Sequence, residues 1–196
     1  MNHCFTSAST PDEFDKAVVV MLPKPNQSDP SAPGSNRPIS LTQSLFKLYT
    51  SLLHLRLRKA MDDVLRPSQY GFRAHRSTSQ PIHLVRRILE LYERQGETLH
   101  VVCLDWSKAF DTISHDAIRI SLDRLGVPEP MIQAIMALYS SPVFMVRDAY
   151  SESTTHAQQR GVRQGCPLSP LLFIAILTCV MHDVDEEYQQ KFGSLP

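Results

Sequence analysis

Short apolar runs and longer amphipathic stretches alternate along the chain, which predicts interleaved strands and helices. Residues 16–25, KAVVVMLPKP, form an apolar run that closes in prolines and predicts a strand. Residues 99–105, LHVVCLD, predict a second, buried strand. Residues 142–150 and 153–162 predict a hairpin with its turn near residues 150–153. Residues 26–36, NQSDPSAPGSN, are rich in turn formers and predict a loop.

Five stretches carry helical periodicity or helix-end signals: 41–65, 77–96, 115–127, 128–141 and 169–192. The first has leucines at positions 45, 48, 52 and 55, which predicts an amphipathic helix with those leucines on its apolar face, ending near Pro67. The second ends just before Gly96, a residue typical of a helix C-terminus. Helices interleaved with strands, at least two of them antiparallel, predict a mixed α and β class.

Composition is that of an ordinary globular protein, and charge is balanced overall but uneven along the chain. The 196 residues are 42% hydrophobic and carry 20 Lys+Arg against 20 Asp+Glu. Residues 47–94 hold ten Lys/Arg and four acids, so this region is basic and the remainder is acidic. A polyanion bound to the basic region and ordinary solvated helix faces both explain this pattern, and charge alone favours the second.

Cysteine usage and hydropathy indicate an intracellular protein. Cys4, Cys103, Cys166 and Cys179 form no CxxC pair and are expected to be small buried side chains in a reducing compartment. The first 17 residues are polar and acidic, unlike a secretory signal. The longest apolar run, residues 171–181, is too short to cross a bilayer. We therefore expect a protein of the cytoplasm or nucleus with no membrane segment.

Two acids stand at and beyond the end of the predicted strand 99–105. An ionised Asp105 is costly inside a sheet unless it is paired or binds a metal, although at the strand's end it can emerge into a cleft. By residue type alone, Asp105 is equally well explained as a ligand or as a solvated acid. Asp111 precedes a predicted helix, and its favoured interpretation is a helix N-cap.

A second distinctive stretch is GVRQGCPLSPLLFIAIL, residues 161–177. Gly161 and Gly165 mark sharp turns or close approaches of the backbone. Ser169 is the expected N-cap of the following helix and Pro170 its first residue. By itself this is an ordinary strand–turn–helix junction with the amide of Gln164 free in the turn.

Four stretches in fixed order carry a resemblance. They include Arg37-Pro38-Ile39-Ser40, Gln69-Tyr70-Gly71-Phe72-Arg73, Ala109-Phe110-Asp111 and Gln164-Gly165-Cys166-Pro167-Leu168-Ser169-Pro170. Together they closely resemble the reverse transcriptases of non-LTR retrotransposons and group II introns, over roughly residues 18–180. The resemblance implies an α+β right-hand polymerase fold in which an antiparallel sheet packs with helices. It divides the chain into a polar segment 1–17, a fingers-like region 18–98 and a partial palm 99–196.

The resemblance also implies RNA-directed DNA synthesis, in which a primer 3′-hydroxyl attacks the α-phosphorus of a dNTP. Two Mg²⁺ ions would assist this step, held by the strand-end acid Asp105 and the backbone carbonyl of Trp106. On this interpretation the metals compensate the charge of Asp105. The eight histidines show no metal-ligand spacing and receive no role.

Further residues gain expected roles in substrate binding from the same resemblance. Arg37 would grip the triphosphate with a second cation from Lys24, although a solvated loop lysine is the alternative for Lys24. Phe110 matches a steric gate against the 2′-hydroxyl, with plain core packing as its alternative. Gln164 and Gly165 match the turn along the incoming nucleotide. Two further residues, Arg73 and Arg76, are expected to contact the backbone of the RNA template and DNA primer.

The chain departs from the family pattern in one respect. It has no aromatic–x–Asp–Asp tetrad, and the nearby Asp183 and Asp185 lie in a solvated charge run at the polar end of a predicted helix. We therefore expect a polymerase core without its second palm motif and thumb, inactive by itself, with the tetrad encoded downstream. The alternatives are a decayed retroelement product that binds nucleic acid without catalysis, and a non-catalytic interaction module on the same fold.

Overall fold

Four strands form one mixed sheet in the computed structural model, which describes residues 1–25, 29, 32–148 and 150–193. The strands are β1 (Lys16–Pro23), β2 (Asn36–Leu41), β3 (Val143–Arg147) and β4 (His156–Ala157), in the order β2-β1-β3-β4. β1 is antiparallel to β2 and parallel to β3, and β3 is antiparallel to β4. The expected class of mixed α and β is confirmed, whereas the expectation of a purely antiparallel sheet is wrong.

The helices are α1 (Asn2–Ser7), α2 (Ser44–Val64), α3 (Ser79–Gln95), α4 (Ala109–Thr112), α5 (His115–Arg124), α6 (Glu129–Met136) and α7 (Ser169–Phe192). Short 3₁₀ turns cover Asp12–Phe14, Pro33–Ser35 and Ala137–Tyr139. All five predicted helices are confirmed, and so is the hairpin of β3 and β4. Residues 26–28, 30 and 31 of the predicted loop lie outside the described residues.

The hydrophobic core lies among α2, α5, α6 and α7. Leu122 on α5, Ile132 on α6 and Leu172 on α7 are fully buried, each at 0% exposure. Fully burying a side chain of this size stabilises the fold by about 1.5–3 kcal/mol relative to leaving it in water. Within this core, α5 and α7 pack directly against each other.

The buried face of α2 is not the leucine face that the sequence predicts. Leu45, Leu48, Leu52 and Leu55 are 40–61% exposed. The helix instead buries Phe46, Tyr49, Thr50, Leu53, Leu57 and Met61. Both stripes have helical spacing, and the buried one carries two aromatic rings, which fill more core volume than leucine. The ring of Phe46 packs edge-to-face on Phe14, with ring centroids 5.7 Å apart.

The predicted strand 99–105 is absent from the structure. Residues 97–106 form no regular element, and the side chains of Val101, Val102 and Leu104 are 54%, 80% and 83% exposed. A strand exists only when its backbone groups pair with a neighbour, and no described strand pairs with this segment. The hydropathy of this run favours burial, but hydropathy does not reveal whether a pairing partner is present.

Helix α3, which leads into that segment, is equally unpacked. It ends at Gly96, whose positive φ of 67° completes the helix terminus as the sequence predicts. No residue of α3 is buried, although it carries apolar side chains at Ile82, Leu84, Val85, Ile88, Leu89 and Leu91. An amphipathic helix in water with its apolar face uncovered gains little tertiary stabilisation.

Three smaller expectations have mixed outcomes. Cys166 and Cys179 are buried as expected, but Cys103 is exposed and Cys4 is only partly buried, so the expectation is wrong for those two.

The sheet contains strands from both sides of the boundary predicted at residues 98 and 99, and the division into fingers and palm stays a prediction. Among the described residues, no helix has the combined length and apolar character that a bilayer span requires.

Candidate functional site

A cleft of about 640 Å³ collects residues from separate parts of the chain. Its lining comes from β1 and the residues after it, from β2, from the segment 105–111 and from the turn before α7: Met21, Lys24, Gly34, Asn36, Arg37, Pro38, Asp105, Trp106, Ser107, Lys108, Asp111 and Gln164. Sequence reasoning chose five of these residues, Lys24, Arg37, Asp105, Trp106 and Gln164. The structure brings all five to one cleft.

Three cations and two acids line this cleft. Lys24 lies just past β1, where its Nζ donates to the carbonyl of Gly34 at 2.9 Å. Arg37 is exposed on β2, opposite Leu22 of β1. Lys108 has a positive φ of 52° and precedes α4. A guanidinium and two ammonium groups around a cleft this size suit a phosphate chain, because Arg binds it bidentately and Lys as a point charge.

Asp105 reaches the cleft from the unpaired segment 97–106, where it is exposed. Trp106, next to it, is 55% exposed. Water already solvates the charge of Asp105, which agrees with the solvated acid that was one of its two explanations, and its role as a metal ligand stays a prediction. Asp105 and Asp111 offer hard oxygen donors of the kind that Mg²⁺ prefers. Within the described ranges, no group of three or more His, Cys, Asp or Glu side chains is arranged to hold a metal ion.

Gln164 is held at both its main chain and its side chain. Its carbonyl accepts a hydrogen bond from the backbone N–H of Ser40 on β2 at 2.7 Å. Its side-chain amide Nε2 donates to Oδ1 of Asp111 at 2.9 Å. These contacts join β2, α4 and the turn before α7 at one residue, so Gln164 is far more fixed than the free turn amide that the sequence implied.

The glycines on either side of Gln164 allow this close approach. Gly165 has a φ of 117°, and a Cβ there would lie 2.9 Å from the carbonyl oxygen of Ser40. Gly161 has a φ of 84°, and a Cβ there would lie 2.9 Å from the carbonyl oxygen of Asp111. Any side chain at either position would push β2 or α4 away, which is why glycine is required.

Arg163 anchors the same turn from beneath. It is 3% exposed and donates to the carbonyl of Phe14 at 2.7 Å and to the carbonyl of Asp15. Its guanidinium lies over the ring of Phe46, 5.0 Å from the centroid. Burial lowers the pKa of Arg163 and, at the neighbouring Asp15, raises the pKa of the carboxyl. Sequence reasoning assigned Arg163 no role, and its polar, glycine-containing surroundings in the sequence give no signal of burial.

Phe110 lies outside the large cleft. It lines a smaller neighbouring pocket together with Gln164 and Gly165. Its ring stacks on Phe173 of α7, with centroids 5.2 Å apart, and meets Phe72 edge-on at 6.0 Å. The ring thus packs in an aromatic cluster, as its alternative interpretation proposed, and its steric-gate role stays a prediction.

The two arginines expected to contact nucleic acid have different surroundings. The Arg73 guanidinium donates to Oδ1 of Asp62 at 2.8 Å and to the backbone carbonyls of Asp62 and Arg66 at the end of α2. Only 7% of its side chain is exposed. Arg76 is exposed, and its guanidinium lies 5.5 Å from the ring centroid of Tyr70. The contacts of Arg73 are those of a helix C-terminal anchor, while Arg76 is accessible.

Two predicted helix caps are wrong. Asp111 lies inside the short helix α4, and the hydroxyl of Ser114 caps α5 instead, accepting from the N–H of Ala117 at 3.1 Å. The chain turns at the buried Ile113 between the two helices, which removes Asp111 from the start of α5. Ser169 is the first residue of α7 rather than its cap.

The acids near the chain's end lie on a helix, as the sequence predicts. Asp183 and Asp185 are both within α7. Arg124 of α5 forms an ion pair with Asp183, and its hydrogen bond lowers the pKa of that carboxyl. Arg66 forms an ion pair with Asp185. Both acids thus pair with arginines from other parts of the chain, and neither lines the cleft.

Three cations, two accessible acids and a glycine-flanked glutamine therefore meet at one cleft, and cations of these types suit phosphate groups. Residues 22–194 match the family model described as "Reverse transcriptase (RNA-dependent DNA polymerase)". The chain belongs to this family. The resemblance inferred from the four sequence motifs is thereby confirmed.

Several curated relatives agree with this assignment. The chain is 35% identical over 175 residues to a probable RNA-directed DNA polymerase from transposon BS of Drosophila melanogaster, covering 86% of the chain and 19% of that relative. It is 35% identical over 154 residues to a retrovirus-related Pol polyprotein from retrotransposable element R2 of Popillia japonica, covering 78% and 21%. A putative COX1/OXI3 intron 1 protein of Saccharomyces cerevisiae is 27% identical over 170 residues, covering 86% and 18%. The chain spans about one fifth of the length of these relatives.

Proposed function

We propose that this chain forms the fingers and part of the palm of a retroelement RNA-directed DNA polymerase, which transfers nucleotides from dNTPs to a primer 3′-hydroxyl. The observation that carries the proposal is the shared cleft, which unites Lys24, Arg37, Asp105 and Gln164 from segments far apart in sequence. Its substrates would be dNTPs, and its partners an RNA template and a DNA primer in the cytoplasm or nucleus.

The cations act first in this scheme, because the incoming triphosphate carries several negative charges. Arg37 binds phosphate oxygens with its fork, and Lys24, already oriented by the Gly34 carbonyl, adds a second charge. Lys108 lies at the same cleft and supports the same role. The nucleotide is thereby oriented with its phosphates towards Asp105.

Asp105 and the backbone carbonyl of Trp106 would hold the divalent ions, two Mg²⁺ in the complete enzyme. The donor types fit, but the chain supplies only part of a metal cage, since no set of three ligand side chains is formed by the described residues. When bound, such ions polarise phosphate oxygens and stabilise the charge that develops in phosphoryl transfer. The isolated chain is therefore proposed to bind substrate without catalysing extension.

Phe110 and Gly165 would complete the nucleotide pocket on the side of the sugar. The half-buried ring of Phe110 is held by Phe72 and Phe173, so it is rigid enough to exclude a 2′-hydroxyl by shape. Gly165 allows the turn to approach the Ser40 carbonyl on β2 closely, which fixes the backbone that would lie along the bound nucleotide.

Titration of the 196-residue chain with dTTP and UTP in Mg²⁺ buffer tests this proposal. Arg37→Ala should weaken binding of both nucleotides about tenfold, the effect of a lost charged hydrogen bond. Phe110→Val should narrow the preference for dTTP over UTP. Arg119→Ala is the matched control, because Arg119 is exposed and pairs with Glu129 away from the cleft. Equal effects of Arg37→Ala and Arg119→Ala would contradict the proposal.

A further inference from the structure

A side-chain hydrogen bond connects the motif Ala109-Phe110-Asp111 with the motif that begins at Gln164. The amide Nε2 of Gln164 lies 2.9 Å from Oδ1 of Asp111, a residue 53 positions earlier in the chain. Sequence reasoning gave Asp111 only a capping role, which the structure does not support. The hydrogen bond to Gln164 is the side-chain contact that the structure gives to the carboxylate of Asp111.

The chemistry of the pair fixes the orientation of the glutamine amide. An ionised carboxylate can only accept hydrogen bonds, so the amide nitrogen of Gln164 must face Asp111. The amide carbonyl oxygen is consequently turned away from Asp111 and is the group left to accept from a bound molecule. Without Asp111, the terminal amide could rotate and offer either end.

The backbone around the pair is rigid, so the hydrogen bond has a defined geometry. The N–H of Gly161 donates to the carbonyl of Ile113 at 2.7 Å, and the N–H of Val162 donates to the carbonyl of Phe110 at 2.8 Å. The two accepting carbonyls belong to residues on either side of Asp111, and the two donating N–H groups belong to residues shortly before Gln164. The two backbone hydrogen bonds therefore hold the Asp111 carboxylate close to the Gln164 amide.

We propose that Asp111 is a positioning residue that sets the amide orientation of Gln164 for nucleotide binding. The proposal rests on the proposed function, since it assigns Gln164 to the nucleotide. Both residues line the cleft that holds Lys24, Arg37 and Asp105. Asp111 acts through Gln164 and has no independent contact with the nucleotide in this scheme.

Nuclear magnetic resonance of the 196-residue chain tests the hydrogen bond directly. The side-chain amide signals of Gln164 are identified as those lost in Gln164→Met. Asp111→Ala should shift these signals, whereas Asp123→Ala, which removes an exposed acid from α5, should leave them in place. Unshifted signals in Asp111→Ala would overturn the proposal.

A double-mutant cycle on dTTP binding tests the positioning role. Asp111→Ala should weaken binding about fivefold, as expected for one lost hydrogen bond, and Gln164→Met by at least as much. In the Gln164→Met background, Asp111→Ala should have no further effect, because its only route to the nucleotide is gone. Asp111→Asn keeps the size and an acceptor but admits both amide orientations, so about twofold weakening is expected.

The outcomes separate this inference from the proposed function. If Gln164→Met weakens dTTP binding but Asp111→Ala does not, Asp111 has no positioning role and only the inference fails. Additive effects in the cycle would also overturn it, since they would mean that Asp111 acts independently. If neither Gln164→Met nor Arg37→Ala alters binding, the proposed nucleotide site itself is wrong.

Discussion

The two walls of the cleft differ in how firmly the protein holds them. One wall, Gln164 with β2 and α4, is fixed by backbone bonds, two tightly packed glycines and the buried Arg163. The opposite wall, Asp105 and Trp106, belongs to the segment 97–106, which has no strand pairing and follows the uncovered helix α3. The residues proposed to orient the nucleotide are thus preorganised. The residues proposed to bind metal lie on a segment that no strand pairing holds in place.

The largest expected difference in the free energy of unfolding is between a buried residue of α7 and an exposed residue of α3. Leu172→Ala on α7 creates a cavity at a side chain with 0% exposure and should reduce the free energy of unfolding by about 3–4 kcal/mol. Leu89→Ala on α3 removes the same atoms at 46% exposure and should change it by less than about 0.5 kcal/mol. Urea unfolding measures both; a large loss for Leu89→Ala would show that α3 is packed in solution.

A smaller effect is expected at the anchor of the fixed wall. Arg163→Met should lower the free energy of unfolding by about 2–3 kcal/mol, because the carbonyls of Phe14 and Asp15 lose their buried donor. Arg160→Met, at an exposed position in the same segment, is the matched control and should have little effect. Urea unfolding of the two variants gives the comparison, and equal stabilities would mean that Arg163 does not hold the wall.

The smallest effects concern the two arginines near the end of α2. Primer–template binding should weaken as salt rises, and the slope of the logarithm of the binding constant against the logarithm of the salt concentration measures this dependence. Arg76→Ala should reduce that slope by about one unit, since one phosphate contact is lost. Arg73→Ala should leave the slope unchanged and lower the free energy of unfolding by about 1 kcal/mol. Binding titrations at several salt concentrations separate the two; a reduced slope for Arg73→Ala would reassign it to nucleic acid.

The ion pair between Arg73 and Asp62 predicts that the stability of the fold depends on pH. The hydrogen bond from Arg73 lowers the pKa of Asp62 below its ordinary value. Because the folded pKa is depressed, the stabilisation is present above the ordinary carboxyl pKa and is lost as the pH falls through the folded value. Arg73→Ala should therefore cost more stability at neutral pH than in strong acid, where only its bonds to the carbonyls of Asp62 and Arg66 are lost, as measured by unfolding across that range.

The sequence predicts the helices well because each helix carries its own signals. α3 ends at Gly96 and α7 begins near Pro170, and both signals are local to the chain. Side-chain burial is a property of partners, which explains the errors at the leucine stripe of α2 and at residues 99–105. The strand β2 was also missed, because Pro38 interrupts its apolar pattern and its stability comes from pairing with β1.

The candidate site divides in the same way. Motif resemblance identified Lys24, Arg37, Asp105 and Gln164, and the structure brings them to one cleft. The resemblance assigned no role to Lys108 or Arg163, and residue-type reasoning gave Asp111 the wrong one. These three act through backbone conformation or long-range contacts, such as the positive φ of Lys108, that no short sequence pattern encodes.

Primer extension on an RNA template with Mg²⁺ and dNTPs tests the central claim most directly. The 196-residue chain alone should give no extension, since the described residues form no group of three or more metal-ligating side chains that includes Asp105. A polymerase completed with the palm hairpin and thumb of an R2 relative should extend the primer, and Asp105→Asn should abolish this while Asp123→Asn should not. Extension that persists in Asp105→Asn would contradict the account, as would robust extension by the isolated chain.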